Sequence, residues 1–385
     1  MRAPAVPALD VRAVDSEADR SAFLRLPWSV YRRDPAWVPP LWAQQRRRFD
    51  LDANAELDAI SMQPMLAWRG QRPVGSIVAF VDAAYDRFHD SRTGWFGALE
   101  VEDDAEACHA LLAAAERWLV ARGARSLVGP ATFGTSSEIG VPVDHFDEPP
   151  MLLLTHAPHY LPGMLAAYPG MTAAMDMWAW RIDGNDWGGR KADRIPHRVQ
   201  GVVERVRKRA DISVRHLDLR HFDREVAHIK AIYNAAFVRN WGFAPVSERH
   251  ADQIAEDLRQ IIDPRVAVFA EVAGEPVAFG VSLPNLNVPL RRARCRSGEP
   301  HWWQLAKLAW HWKIRPLRSV RVWAAAVVPQ WRGIGLDALI YHEMIVRGLA
   351  AGYHQIEMSW VLANNDMMNR AIARMGATRH RTYRV

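Results

Sequence analysis

Cysteine is nearly absent from the chain. Cys108 and Cys295 are the two in 385 residues, which excludes a disulfide framework and a cysteine-built metal centre; both read as free thiols in a reducing compartment. Long apolar runs are missing as well, so no segment is expected to span a bilayer. The first twenty residues, MRAPAVPALDVRAVDSEADR, hold no apolar core, and neither a signal peptide nor an N-terminal anchor is expected. No nucleic-acid module is recognisable, so the net charge of +6 is read as solvated surface and nucleic acid is not an expected partner. No metal is expected. The expected location is the cytoplasm, with a peripheral station on the inner membrane as an extension of it.

What the chain does have is apolar residue, 49% of it, enough for two domains with a core each. Its clearest local pattern is 322–351, VWAAAVVPQWRGIGLDALIYHEMIVRGLAA. Val322 to Val328 is a short apolar block closed by Pro329, which suits a strand buried on both faces. From Leu336 the period turns helical, with Leu336, Leu339, Ile340, Met344 and Leu349 on one side. Between them lie Gln330, Trp331, Arg332, Gly333, Ile334 and Gly335. The two glycines let successive N–H groups converge at the positive end of the helix, a place that binds phosphate. Two ligands compete for that phosphate site. Gly333, Gly335 and Ala338, with Glu357 further on, fit a dinucleotide fingerprint. Against it, four residues separate the strand end from the first glycine, and too little chain follows for the further βα units of a dinucleotide domain.

Taken whole, QWRGIG resembles the Q/R-x-x-G-x-G/A loop of the Gcn5-related N-acetyltransferases (GNAT), whose backbone N–H groups hold the pyrophosphate of coenzyme A. The resemblance implies acyl-coenzyme A as cosubstrate, bound through Val327, Val328, Gln330, Trp331, Arg332, Gly333, Ile334, Gly335 and Leu336. The tail agrees with it. Gln355 to Leu362 reads as the next parallel strand, Asn364 and Asn365 precede a helix from Asp366 to Met375, Gly376 stops it, and Thr378 to Val385 is a last strand. Asn365 and Gly376 stand where the family has an asparagine and a glycine, so Asn365 joins the implied cofactor set. One position departs from the pattern. The tyrosine that many members use as acid for the leaving thiolate falls at Ile372, which has no proton to give.

The N-terminal half repeats the order of elements. Strand Leu9 to Val14, a helix capped by Asp15 or Ser16 and running to Tyr31, strands Met65 to Trp68, Pro73 to Asp82 and Gly94 to Val101, the helix Ala105 to Arg122 and strand Ser126 to Gly129 follow in turn. Where the second half has VVPQWRGIG, however, the first has LEVEDDAEA, and carboxylates at a helix N-terminus repel a pyrophosphate. The expected fold class is therefore α/β, a mixed α+β sheet in tandem GNAT-like domains with the N-terminal one degenerate. The expected domains are 1–184, a basic linker 185–210, and the acyl-coenzyme A domain 211–385 with an insertion at 285–320.

That insertion is unusual in composition. Arg291 to Arg321 carries nine Arg or Lys, one Glu and four tryptophans. As a helix, HWWQLAKLAWHWKI puts Trp302, Leu305, Ala306, Ala309, Trp310 and Trp312 on one half of its circumference and Gln304, Lys307 and His311 in a polar stripe. Two readings stand here: a helix packed on the domain, or an interfacial helix that makes a membrane surface a partner through 291–321.

Across the chain, FLRLPWSVYRRDPAWVPPLW, GWFGALEVEDD, GPATFGTSSEIGVPVDHFDEPP, YNAAFVRNWGFAP and EMSWVLANN are similar to a two-domain bacterial family of acetyltransferase-like proteins. Some of these proteins are ceramide synthases, which join a long acyl chain from its thioester to a sphingoid base. The resemblance implies an acyl-coenzyme A-dependent N-acyltransferase acting on a primary amine, with a lipid amine as the finer expectation. An N-acetyltransferase for a small polar amine and a non-catalytic acyl-coenzyme A sensor are the alternatives. An attacking amine must be neutral, so a base is needed. Glu138 in the GTSSEIG loop is the expected base, with Glu357 as the other carboxylate and Tyr383 as the replacement acid. Asn240 and Trp241 of the NWGF turn are expected to position a substrate in a cleft between the domains, and a backbone N–H near Val328 to meet the oxyanion.

Overall fold

The structure, a computed structural model, describes residues 7–134, 138–183, 197–209 and 211–385. Residues 1–6, the residues 135–137 of the GTSSEIG loop and the linker stretch 184–196 expected above lie outside the described residues. Contacts divide the chain into two compact units: Met1–Asp176 with Pro289–His311 and Tyr383–Val385, and Met177–Val288 with Trp312–Thr382.

The first unit holds a sheet of order β1-β2-β3-β4-β5, built from Leu9–Ala13, Ile60–Arg69, Arg72–Asp82, Thr93–Val101 and Ser126–Val128. Its first four strands run antiparallel in sequence, and β5 lies parallel to β4. The crossover between β4 and β5 is the helix Ala105–Val120. Ala107, Cys108, Leu111, Leu112, Ala115 and Leu119 recur at helical spacing and are all buried against the sheet. Burying Leu111, Leu112 and Leu119 contributes roughly 1.5–3 kcal/mol each. Cys108 is one of these packing residues, and burial pushes its thiol up to about 12. Further on, the short strand β6 (Val141–Pro142) pairs with Tyr383 and Arg384, which belong to this same unit.

The second unit carries β7 (Asp176–Asp183, from Met177 on), β8 (Ile212–His216), β9 (Ala267–Val272), β10 (Glu275–Pro284), β11 (Ser319–Val327), β12 (Gln355–Leu362) and β13 (Thr378–Arg384, as far as Thr382), ordered β13-β7-β12-β11-β10-β9-β8. Helix Leu336–Ala350 joins β11 to the parallel β12, its Leu336, Leu339, Ile340 and Met344 buried as the sequence period requires. Helix Phe222–Phe237 lies between β8 and β9. Contacts draw the units differently from the boundary expected at 184. Strand β7 pairs antiparallel with β12, Ile356 opposite Ile182 and Met358 opposite Trp180, which ties it to the second sheet. The expected insertion also splits, since Pro289–His311 packs within the first unit.

Candidate functional site

Strands β11 and β12 lie side by side only at their beginnings. Their parallel register runs from Ser319 opposite Gln355 to Val322 opposite Met358 and stops, although β11 continues to Val327 and β12 to Leu362. Beyond that point each strand keeps its other neighbour: β11 pairs with β10 up to Val327, and β12 with β7 up to Leu362. The two strands therefore splay at their carboxyl ends. A wedge opens inside the sheet, lined by main chain with hydrogen-bonding groups that an extended ligand can use. Arg321 sits at the fork, its Nε 3.1 Å and its Nη2 3.0 Å from the Ser359 carbonyl.

The glycine loop lies at the mouth of this wedge. Gly333 (φ +80) and Gly335 (φ +95) both adopt the left-handed conformation that side chains rarely enter. Gly335 is the N-cap of helix Leu336–Ala350, and no side chain caps it. The first N–H groups of that helix are thus offered at the positive end of its dipole without a protein oxygen in the way. A Cβ at Gly333 would meet nothing within 4 Å, whereas one at Gly335 would fall 2.8 Å from Val202 of the helix His197–Arg207. That helix is the basic connection expected from the sequence; it packs beside the loop, and its Arg207 pairs with Glu343, which Arg347 also holds at 2.6 Å.

Among the expected cofactor residues, Gln330 and Gly333 are exposed while Trp331, Ile334 and Gly335 are half-buried. Leu336 is fully buried, so only its backbone is available to a ligand. Arg332 turns out to be a brace: its Nε donates to the Val327 carbonyl at 3.1 Å and its Nη2 to the Ala236 carbonyl at 2.8 Å. This bond ties the loop to the last turn of helix Phe222–Phe237, directly before the half-buried Asn240 and Trp241 of the NWGF turn. Asn365 is an N-cap, accepting the Met368 N–H at 3.2 Å. Of the backbone N–H groups near Val328 expected to meet the oxyanion, that of Val328 itself donates to the Val277 carbonyl at 3.0 Å, and Pro329 has none to offer.

The candidate acid–base groups divide between the units. Glu357 is no strand-edge charge: β12 is an interior strand, and the carboxylate is 4 % exposed with the Ser359 hydroxyl donating to it at 2.8 Å. Burial pushes its carboxyl up, opposed by Ser359 and by Arg381, Arg321 and Arg181. Tyr383, the expected acid, is 1 % exposed and belongs to the first unit. Glu138 is accessible, with about a third of its side chain exposed, and pairs with Arg48 at 2.5 Å. Asn240, Trp241, Asn365, Glu357 and the loop all belong to the second unit, whereas Glu138 and Tyr383 belong to the first.

A polar cluster around Arg48 is the part that sequence reasoning missed. Burial pushes the Glu100 carboxyl up to about 7, against the pull of the Tyr31 hydroxyl and the Arg48 guanidinium. Its Oε2 is buried without a hydrogen-bond partner. Burial likewise raises the Tyr31 phenol, whose ring stacks on Trp37 at 5.2 Å. Nearby, burial pushes the Asp34 carboxyl up, but the His156 imidazole 2.7 Å away overrides this and holds it below its ordinary value. Tyr31, Asp34 and Trp37 lie in the motif FLRLPWSVYRRDPAWVPPLW and Glu100 in GWFGALEVEDD, but Arg48 and His156 lie in neither, and no spacing links Arg48 to Glu138, ninety positions on.

No family model matches the chain. Among solved structures, a tandem GNAT protein from the clavulanic acid biosynthesis pathway superposes with a TM-score of 0.54 at 13% identity, covering 98% of this chain and 97% of that one. The fold is therefore a tandem GNAT fold. Among characterised sequences, the bacterial ceramide synthase of Caulobacter vibrioides is 33% identical over 382 residues, 98% of this chain and 96% of that protein. Protein YghO of Escherichia coli is 28% identical over 380 residues, 97% of this chain and 94% of its own length. The splayed strands, the open glycine loop and the full-length match agree: the chain belongs to the tandem GNAT-fold family that includes the bacterial ceramide synthase of Caulobacter vibrioides.

Proposed function

We propose that the protein is an acyl-coenzyme A-dependent N-acyltransferase acting on a primary amine, and that its acceptor is a long-chain lipid amine of the sphingoid type. The observation that carries the reading is the conjunction of the β11/β12 wedge with the uncapped N-terminus of helix Leu336–Ala350. The loop amides suit a pyrophosphate, and the wedge suits an extended chain with amide groups, laid where the β11/β12 pairing has ended, along Trp323 to Ala326 and along Trp360 and Val361. In the reaction a neutral amine attacks the thioester carbon, the nitrogen gives up its proton to a base, and the carbon–sulfur bond breaks to release the thiolate, which solvent then protonates. Of the carboxylates considered for the proton, Glu138 is the accessible one, and it pairs with Arg48 at 2.5 Å. With Ile372 fully buried and apolar, and Tyr383 enclosed, the thiolate leaves without a tyrosine acid from either position. The lipid acceptor is supported by the name of the Caulobacter vibrioides relative and by the length of the match to it.

The test is thiol release by the purified chain with acetyl- and palmitoyl-coenzyme A, each offered against amines that include a sphingoid base. Release confined to the long chain and the lipid amine is the expected result. Turnover of acetyl-coenzyme A with a small polar amine would replace the acceptor and leave the transferase standing. Tight coenzyme A binding with no release against any amine would make the protein a sensor.

A further inference from the structure

The helix His301–Ile314 is packed with its faces reversed relative to an ordinary amphipathic helix. Its polar stripe points inward. Gln304 is completely buried, its Oε1 accepting the Trp42 N–H at 2.8 Å and its Nε2 donating to the Arg296 carbonyl at 2.9 Å. Lys307 is largely covered and donates to Glu299 at 2.6 Å. Each inward polar group is thereby satisfied, so the orientation costs no unpaired donor or acceptor. The tryptophan face is left in the open: Trp302 is 70% exposed, Trp310 67%, Trp303 47% and Leu305 42%.

Large apolar surface gathered on one helix face marks an interaction site, and the chemistry around it selects the partner. Arg292, Arg294 and Arg296 precede the helix within the same unit and are all exposed. Glu299, the segment's one acid, is already occupied by Lys307. Tryptophan rings with arginines and no free carboxylate match the headgroup layer of an anionic bilayer, where indoles lie at the boundary and guanidinium groups meet lipid phosphates. Among the described residues no helix is long and apolar enough to cross a membrane, which leaves docking along the surface as the geometry available to this face.

We infer that the Trp302/Trp310 face of helix His301–Ile314 docks the protein on an anionic lipid surface. The contact uses residues outside the wedge and the glycine loop, so it stands or falls apart from the transferase reading. The full chain is floated with vesicles of equimolar phosphatidylcholine and phosphatidylglycerol, and with phosphatidylcholine alone, without acyl-coenzyme A. It is expected to float with the mixed vesicles and to be released by salt. The exposed pair Trp302→Ser/Trp310→Ser is expected to keep the native circular dichroism and melting curve and to lose roughly tenfold or more of the partitioning. Arg292→Gln/Arg294→Gln is expected to lose on the order of fivefold per arginine, and only on the anionic vesicles. Flotation unchanged in the tryptophan variant, equal flotation on phosphatidylcholine alone, or no flotation at all would overturn the inference. So would a dimer in the absence of lipid that the tryptophan variant dissolves, since the face would then be a contact between two copies.

Discussion

The two units carry the same crossover and close it in opposite ways. In each, a helix leads from one strand to a parallel neighbour, Ala105–Val120 from β4 to β5 and Leu336–Ala350 from β11 to β12. In the first unit Asp104 caps the helix, its carboxylate accepting the Ala107 N–H at 3.0 Å, while Arg69 clamps Asp104 at 2.9 Å and Glu106 at 2.6 Å. In the second, the cap is Gly335, which brings no side chain. A carboxylate fills in the first unit the place that an external anion can take in the second. The proposed phosphate site therefore has no counterpart in the first unit, whose Glu138, Arg48, Glu100 and Tyr31 gather elsewhere in that unit.

The largest effect is expected where that contrast is broken on the first unit's side. Glu138→Gln removes the proposed proton acceptor and keeps the shape; kcat should fall roughly 10²–10⁴-fold while coenzyme A binding stays within a factor of two or so. Steady-state kinetics with the amine and thioester identified by the thiol-release assay separate the two quantities. An unchanged kcat would remove Glu138 from the chemistry and leave the first unit a scaffold.

Next in size is a transplant. Gly335→Asp gives the second helix the cap of the first, placing a negative charge at the phosphate mouth, and coenzyme A affinity by calorimetry should drop roughly a hundredfold. Part of the loss is steric, because Gly335 has φ +95 and its Cβ would meet Val202 at 2.8 Å. Gly333→Ala isolates the backbone part. It enters open space, costs only the left-handed strain of roughly 1–2 kcal/mol, and should weaken binding less. Equal affinity in Gly335→Asp and wild type would mean that the loop holds no phosphate.

Smaller again is the effect of Glu100. Its folded-state carboxyl titrates near 7, above the ordinary value near 4.5, so the protonated form is the one the fold prefers. Stability from this group is complete below the unfolded pKa and is lost as pH rises from about 4.5 to about 7. Glu100→Gln, neutral at every pH, should flatten that stretch of the stability profile and at pH 8 raise stability by on the order of 2 kcal/mol. Urea melts at pH 5 and pH 8 check it; a variant less stable than wild type at pH 8 would show instead that the ionised carboxylate is needed by Arg48 and Tyr31.

What was legible in the sequence follows the same contrast. Local signals were enough for helices Ala105–Val120 and Leu336–Ala350, for β12, and for the difference between LEVEDDAEA and VVPQWRGIG, because caps, periods and glycines act over a few residues. Long-range pairing was not. The apolar alternation of β7 says strand without saying which sheet, and its bonds to β12 draw it into the second unit. The strand splay is equally silent, since Val322 to Val328 reads the same whether or not β12 follows beside it. Helix His301–Ile314 was legible in its two faces and not in their direction: Gln304 faces inward because Trp42 and Arg296 satisfy it, and Trp42 lies 262 positions away. The bond from Val328 to Val277 is a backbone property that leaves no mark on residue identity.

The smallest expected effect returns to the closed helix. Asp104→Ala removes a cap and the clamp with Arg69, which together should cost about 1–2 kcal/mol of stability at neutral pH while leaving coenzyme A affinity untouched. The Arg69 hydrogen bond holds the Asp104 carboxyl below its ordinary value, so its contribution is present above pH 4 or so and fades as pH falls through the depressed folded value. Wild type and variant should therefore differ in a melt at pH 7 and converge towards pH 3. A variant that instead gained coenzyme A binding in the first unit would mean that Asp104 alone separates the two helix mouths, and that the first is a phosphate site held shut by one carboxylate.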